Sequence, residues 1–468
     1  MQRHTTHQGS ESPSRGDGVW VGLLVFFSRL PLIFTGPGDD ADSWRVYIAA
    51  ENLVRTGTYI PSRTPGYPLP EYIDAFLLSV GLREPFWLNL PIAIASAVAA
   101  AMVARLLAPL GPARAVVAAL AFAFTPAVYE ASIGPMDYMC GAALFLAALA
   151  MSVEQRTFAA AVLLGLAAAS RATYSLGFIP VALILVQRAP ASRSLRKTIG
   201  NLAVVAILSG AVAVPFYAPL FVTFESAWLT FADPGLDFVQ LFGNATVQLF
   251  GVLGSLAVCC ALVAAALRVT RPALAAPTTL RILPALALTS LIYFALFLRL
   301  PQESAYLVPA LPGLYAGLVS VLPVRFSAAL VVALGLSCAV GGVFRDYDGT
   351  LRLSWRGPVV RRFDTENRWK CVARHAKSAI AAEPPETLLV AGRLKPAVLV
   401  EWGLPPSPRV VYRVLPAEPA GWRDEEGAAL PRQANFLVID AVQAAQDEAV
   451  PVTQLPARVL RTAHLCGE

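Results

Sequence analysis

Residues 36–74 read GPGDDADSWRVYIAAENLVRTGTYIPSRTPGYPLPEYID. They follow a single apolar run at 18–35, and Asp39, Asp40 and Asp42 fall where the chain leaves that run. One acid at a helix N-terminus already gains the ~0.3–1 kcal/mol that the helix dipole offers. Three acids within 39–42 exceed that need. Carboxylates at a membrane surface can also take a proton from a hydroxyl or hold a divalent cation against a phosphate. Asp40 and Asp42 form a D-x-D pattern and are the metal ligands if a divalent cation is used. Helix capping and catalysis by Asp40, Asp39 and Asp42 both stay open on the residues alone.

The rest of the chain supplies a membrane body. Of its 468 residues, 56% are hydrophobic and 15% are charged, against about a quarter charged in soluble proteins. Apolar runs of roughly 20 residues read as membrane-spanning helices. They occur at 18–35, 86–108, 113–131, 136–153, 157–171, 173–188, 198–219, 246–268, 282–299, 304–322 and 326–344. The expected fold is a polytopic α-helical membrane protein of about eleven spans. Loop charge sets the orientation. Arg188, Arg193, Arg196 and Lys197 crowd one loop, and Arg268, Arg271 and Arg281 mark another. The loop at 221–245 has acids and no Lys or Arg, and the 36–85 loop has seven acids and four arginines. These loops alternate, which puts residues 1–17 in the cytoplasm as a disordered tail and the acidic loop outside. The net charge of +6 is then cytoplasmic-loop arginine, and no nucleic-acid partner is implied.

Within the 36–85 loop, Trp44, Tyr47, Ile48, Leu53 and Val54 recur at helical spacing. Asp42 or Ser43 can cap that helix and Gly57 can end it, which predicts an amphipathic helix lying in the membrane interface. A proline-rich segment follows, then a second short interfacial helix over 71–82. From 345 to 468 the charge rises and short β-type runs appear at 387–391, 409–414, 435–440 and 457–461, after a helical stretch at 365–382. This predicts a small extracytoplasmic α/β domain. Cys371 and Cys466 are the two cysteines that can meet there, in an oxidising compartment.

Other polar residues stand out against the apolar runs. Arg63 and Tyr67 lie in the rigid part of the first loop, where an arginine is suited to bidentate contact with a phosphate. Asp137 opens the fourth run on the outer side, as a helix cap or as a second acid facing the same cavity. Arg171 follows the alanine-rich run LLGLAAAS with no acid nearby in sequence, and Tyr174 lies beside it. Such an arginine can snorkel or hold an anionic headgroup. Glu303 and Tyr306 sit in the last outer turn, followed by Pro309 and Pro312, which would kink the next helix. His4, His7, His375 and His464 all lie outside the spans, so a base among the spans must be a carboxylate.

Taken together these pieces resemble the integral-membrane GT-C glycosyltransferases, in the bacterial branch of protein mannosyltransferases and aminoarabinose transferases. The resemblance runs from residue 18 to about 325. It rests on the acidic pair after the first run, on Ala50-Glu51-Asn52-Leu53, Thr56-Gly57-Thr58-Tyr59 and Arg63-Thr64-Pro65-Gly66-Tyr67-Pro68, on Ser170-Arg171, and on the turn from Tyr306 to Pro312. It implies a sugar donor on a polyprenyl phosphate, a glycan, lipid or protein acceptor, membrane lipid around the body, and location in the plasma (inner) membrane. It also implies a carboxylate base near the first-loop acids, with Asp40 favoured over Asp42. Gln302-Glu303-Ser304-Ala305 departs from the basic or histidine residue that many relatives carry before the tyrosine. Two other functions fit the composition: a transporter or flippase for a lipid-linked substrate, and a non-catalytic envelope scaffold.

Overall fold

The computed structural model describes residues 15–38, 40–188, 195–224, 238–268, 279–301, 303–345, 351–391, 394–402, 410–411, 415–417, 421–423, 429–430, 435–439 and 457–460. Asp39, Gln302 and Cys466, named above, lie outside them.

Helices α1 (Arg15–Arg29), α2 (Ala41–Thr56), α3 (Pro68–Ser79), α4 (Pro85–Leu107), α5 (Pro112–Ala123), α6 (Pro126–Glu130), α7 (Asp137–Val153), α8 (Thr157–Ser170) and α9 (Phe178–Arg188) form the first half. They are followed by α10 (Leu195–Phe224), α11 (Phe238–Ala245), α12 (Val247–Ala266), α13 (Thr279–Arg299), α14 (Leu311–Val321) and α15 (Val324–Ala339). Helix α4 packs on α1 and α7, α8 on α7 and α10, and α12 on α15. Alanines make these close approaches: Ala99, Ala100, Ala148, Ala160, Ala161 and Ala167 are fully buried, and small side chains let helix backbones come together where lipid gives no hydrophobic drive.

All eleven apolar runs are largely helical, but eleven is not a count of full-length spans. Five helical stretches among the described residues are long and apolar enough to cross a membrane: Pro85–Leu110, Leu195–Val222, Val247–Ala266, Ile282–Arg299 and Ser304–Val321. The others are shorter, and local chemistry explains where two of them break. Pro126 lacks an N–H to continue α5 and starts α6 instead. The run at 326–344 stops at Ala339, because Val340–Arg345 pairs as strand β1 with β2 (Leu351–Arg356). Pro309 and Pro312 do not kink one long helix. The chain makes tight 3-10 turns over Ser304–Ala310, and Pro312 sits in the first turn of α14.

The carboxy-terminal part continues with α16 (Pro358–Ala381), β3 (Leu388–Val390), α17 (Lys395–Glu401), β4 (Val410–Val411), β5 (Leu415–Ala417), β6 (Gly421–Arg423), β7 (Ala429–Leu430), β8 (Phe436–Ile439) and β9 (Ala457–Leu460). The order β4-β3-β8-β9 is a parallel sheet, and β5-β6-β7 is a small antiparallel one. Cys371 is disulfide-bonded, while Cys140, Cys259, Cys260 and Cys338 are free thiols.

Helix α2 departs from the simple interfacial reading. Trp44 is 1% exposed and enters the carboxy-terminal core, 6.5 Å from the Trp369 ring, with Ile48 packed beside it. The stripe is divided: Trp44 and Ile48 meet the carboxy-terminal core, Tyr47 and Leu53 pack with Ala75, Leu78 and Leu88 of α3 and α4, and Val54 is exposed.

Candidate functional site

The site is built on the first loop. Asp40, in extended conformation, caps α2 by accepting the Asp42 N–H at 2.9 Å, so the cap is neither Asp42 nor Ser43. Gly57 ends the helix at φ +70, and its N–H reaches the Leu53 carbonyl at 2.9 Å. The chain then turns back through Ser62–Tyr67, where the Gly66 N–H donates to the Arg63 carbonyl at 2.8 Å. Glu71 fixes this turn from α3. It accepts from the Tyr59 hydroxyl at 2.5 Å, from the Ser62 N–H at 3.2 Å and from the Ser62 hydroxyl. Burial pushes the Glu71 carboxyl up to about 7, against the opposing effect of those hydrogen bonds.

Arg63 leaves this braced turn and bridges two acids. Its guanidinium pairs with Asp42 Oδ2, and its Nη2 lies 2.5 Å from Asp137 Oδ1. The other Asp42 oxygen takes Arg45 at 2.8 Å. Burial pushes the Asp42 carboxyl up, but Arg63 and Arg45 outweigh it and hold it below the ordinary carboxylate value. Asp137, whose side chain is fully buried at the start of α7, gives its second oxygen to Arg171 Nη1 at 2.7 Å. Arg171 arrives from the end of α8, where the backbone turns extended at φ −160, ψ 119. Three aromatic rings surround it: Tyr306 at 4.4 Å, Tyr138 at 4.6 Å and Tyr67 at 5.2 Å from the guanidinium carbon. Tyr67 also carries Arg63, at 4.4 Å. Asp42, Arg63, Tyr67, Asp137, Arg171 and Tyr306 are thus one connected group. Three arginines (45, 63 and 171) and two aspartates (42 and 137) make these ion pairs, with Asp40 and Glu303 close by on the adjoining cavity.

Two hollows flank the group. A cavity of about 270 Å³ is lined by Asp40, Ser43, Glu130, Tyr138, Gln248, Glu303, Ser304, Arg361 and Arg362, among others. A smaller hollow of about 20 Å³ is lined by Tyr138, Arg171, Thr173, Tyr174, Tyr293, Ala305 and Tyr306, with Leu296, Leu300 and Pro309. Tyr138 and Ala305 belong to both walls. Glu303 opens on the larger cavity beside Asp40 and does not join the arginines. It reaches solvent there, yet protein crowds it closely enough that desolvation, and then repulsion from Asp40 and Asp42, push its carboxyl up. Tyr174 lines the smaller hollow, but its hydroxyl is turned to the Tyr138 carbonyl at 3.4 Å.

As for a divalent cation, both Asp42 oxygens are engaged by arginines. No group of three His, Cys, Asp or Glu residues suited to a metal occurs among the described residues. The described acids do not by themselves make a metal centre, and Asp39, the third acid of the cluster, lies outside the described residues.

Sequence reading missed the reach of α16 into this site. Arg362 is 3% exposed and donates to the carbonyls of Gly36 (3.2 Å), Pro37 (3.1 Å), Ile133 (3.0 Å) and Glu130 (3.3 Å). Glu366 accepts the Gly36 N–H at 2.6 Å. One helix thus grips both the segment entering Asp40 and the segment entering Asp137. Gly38, at φ +105, and Gly134 leave the room, since a Cβ on either would lie 2.7 Å from the Arg362 guanidinium. A signal was present: Arg362 and Glu366 lie in the same helical stripe as Val359, Trp369 and Val372, all buried. Charges inside an apolar stripe ask for a buried partner. Arg29 is a second missed residue. It is fully buried at the end of α1, donates to Ser132 Oγ at 3.0 Å and to the Ala123 carbonyl, and stacks 3.9 Å from the Tyr129 ring.

No protein-family profile and no curated relative matches the chain. Among solved structures it is similar to ArnT from Cupriavidus metallidurans in the apo state, at 15% identity over 84% of each chain, with a TM-score of 0.44. It is similar to the same protein bound to undecaprenyl phosphate, at 16% identity over 79% of this chain and 66% of that one, with a TM-score of 0.46. It is also similar to the archaeal oligosaccharyltransferase AglB from Archaeoglobus fulgidus in complex with an inhibitory peptide and a dolichol-phosphate, at 13% identity over 92% of this chain and 63% of that one, with a TM-score of 0.42.

Proposed function

We propose that this chain is a membrane glycosyltransferase that moves a sugar from a polyprenyl phosphate to an acceptor hydroxyl at the outer membrane surface. The observation that carries the reading is the convergence of Arg63 and Arg171 on Asp137, beside a cavity that holds Asp40. Arg171 makes one hydrogen bond, to Asp137, and its other nitrogens meet no partner among the described residues, which leaves them for phosphate oxygens.

The step is a single displacement. The acceptor oxygen forms a bond to the anomeric carbon as the bond from that carbon to the phosphate oxygen breaks. The electron pair leaves with the phosphate, the acceptor proton passes to Asp40, and the sugar configuration inverts. The base supplies proton removal, and the arginines stabilise charge on the departing phosphate. Glu303 lines the same cavity as Asp40 and is placed to contact the acceptor there. The Cys371 disulfide supports an oxidising compartment for the carboxy-terminal part, and so an outer-face site. Which sugar and which acceptor are used is a matter for assay.

The test is release of free polyprenyl phosphate from undecaprenyl-phosphate sugars by the purified protein in detergent, with crude envelope lipid and glycan as acceptors. Release that disappears in Arg171→Ala is expected. Failure of the folded wild-type protein to bind undecaprenyl phosphate more tightly than undecaprenol removes the reading.

A further inference from the structure

Tyr138 follows Asp137 as the second residue of α7. It is 4% exposed, and its ring lies among cations: Arg171 is 4.6 Å and Arg63 is 5.9 Å from the ring centroid, with the Tyr306 ring 6.2 Å away. It lines both the cavity that holds Asp40 and the hollow that holds Arg171. Its phenolic oxygen is buried and meets no hydrogen-bond partner among the described residues.

That last fact is out of keeping with a purely structural role. A buried hydroxyl without a partner loses its water and regains nothing, so it destabilises the fold. Phenylalanine would keep the ring, its packing and its attraction for the two guanidinium groups, and would remove the unpaired oxygen. The hydroxyl therefore answers to a partner that the described residues do not supply. Its surroundings set the partner's chemistry. Two arginine cations within reach favour an anion, and a phenol, as an O–H donor, suits an anion's oxygen.

We propose that the Tyr138 hydroxyl donates a hydrogen bond to a phosphate oxygen of the polyprenyl-phosphate sugar, as a third arm beside Arg63 and Arg171. This rests on the glycosyltransferase reading above and adds a residue that contacts the leaving group. Standing in the wall between the two hollows, Tyr138 is placed where the sugar would face Asp40 and the phosphate would face Arg171. As the bond from the anomeric carbon to oxygen breaks, negative charge grows on the phosphate and the hydrogen bond strengthens. No proton leaves Tyr138; the one proton released goes from the acceptor hydroxyl to Asp40.

The experiment compares wild type with Tyr138→Phe, in detergent, using undecaprenyl phosphate as the probe and undecaprenol as the uncharged control. Without ligand, Tyr138→Phe is expected to melt at the same temperature as wild type or higher, because the unpaired hydroxyl is gone. Its affinity for undecaprenyl phosphate is expected to fall about ten- to hundredfold, the range for a hydrogen bond to a charged group, with undecaprenol binding unchanged. Equal binding of undecaprenyl phosphate by both proteins overturns the role of Tyr138 and leaves the glycosyltransferase reading standing. A variant that melts lower or does not fold shows that the hydroxyl has a structural partner, and also overturns it. A wild type that does not distinguish the phosphate from the alcohol removes the wider reading, and the role of Tyr138 with it.

Discussion

Arg63 and Arg171 meet on one carboxylate: Asp137 Oδ1 lies 2.5 Å from Arg63 and Oδ2 lies 2.7 Å from Arg171. One arginine comes from the first loop and the other from the end of α8. The Asp137 side chain is fully buried and neutralises one of these charges, so the pair can sit side by side without scattering.

Replacing Asp137 with Asn tests that balance. The shape is kept and the charge is lost, leaving two guanidinium groups in mutual repulsion. Breaking a buried pair in this way costs about 3–5 kcal/mol, so a clear drop in melting temperature is expected. Undecaprenyl phosphate should then stabilise the variant more than it stabilises wild type, because the anion replaces the missing charge. Equal ligand-induced shifts in the two proteins would show that the anion binds elsewhere.

Arg171→Lys keeps the charge but gives up the planar fork that lies against Tyr67, Tyr138 and Tyr306 while paired with Asp137. Lysine is not equivalent at a stacked, forked site. Binding of undecaprenyl phosphate is expected to weaken about tenfold or more, with a smaller stability loss than Asp137→Asn. Calorimetric titration reads the first and thermal melting the second.

Asp40 has two roles that one substitution separates. Asparagine caps helices about as well as aspartate, so Asp40→Asn should leave α2 and the melting temperature intact. It removes the proposed base, and kcat is expected to fall about 10²- to 10⁴-fold while KM for the donor stays within a few fold. Transfer at the wild-type rate would take Asp40 out of the mechanism and leave it as a cap.

Arg362→Ala leaves the carbonyls of Gly36, Pro37, Glu130 and Ile133 without their common donor. A buried acceptor stripped of its partner costs about 1–3 kcal/mol. Faster hydrogen exchange is expected in both gripped segments, around 36–42 and 130–138, along with lost transfer. Faster exchange confined to α16 would mean that the grip does not reach the site.

Glu71 gives a pH prediction. Its folded value, about 7, lies above the ordinary carboxylate value of 4.5. Between these the folded state binds more protons than the unfolded one, so stability falls as pH rises from about 4.5 to about 7. Glu71→Gln keeps an acceptor for Tyr59 or Ser62 and removes the titration. The slope of melting temperature against pH should flatten over that window; an unchanged slope assigns it to another group.

The apolar runs, the two first-loop helices and the Gly57 stop were legible in the sequence because each depends on neighbours a few residues away. The break at Pro126 and the strand at Val340–Arg345 were less so, because composition alone reads both as continuous membrane helix. Amphipathic spacing around Trp44 predicts a helix in the membrane interface because it identifies a buried face without saying what buries it; for Trp44 it is the Trp369 core. Arg171 was noticed for having no acid nearby, and the acid that meets it, Asp137, is adjacent only after α7 and α8 pack.

The order of residues alone settled a largely helical, membrane-adapted chain with charged groups gathered in the loop after the first apolar run, since hydropathy and helix endings are short-range properties. Only packing decided that Arg63 and Arg171 share one aspartate, that Asp40 both caps a helix and faces a cavity, and that a helix more than two hundred residues downstream grips both segments. Electrostatic partners act over a few ångströms of space, and chain spacing does not encode that distance until the helices are in place.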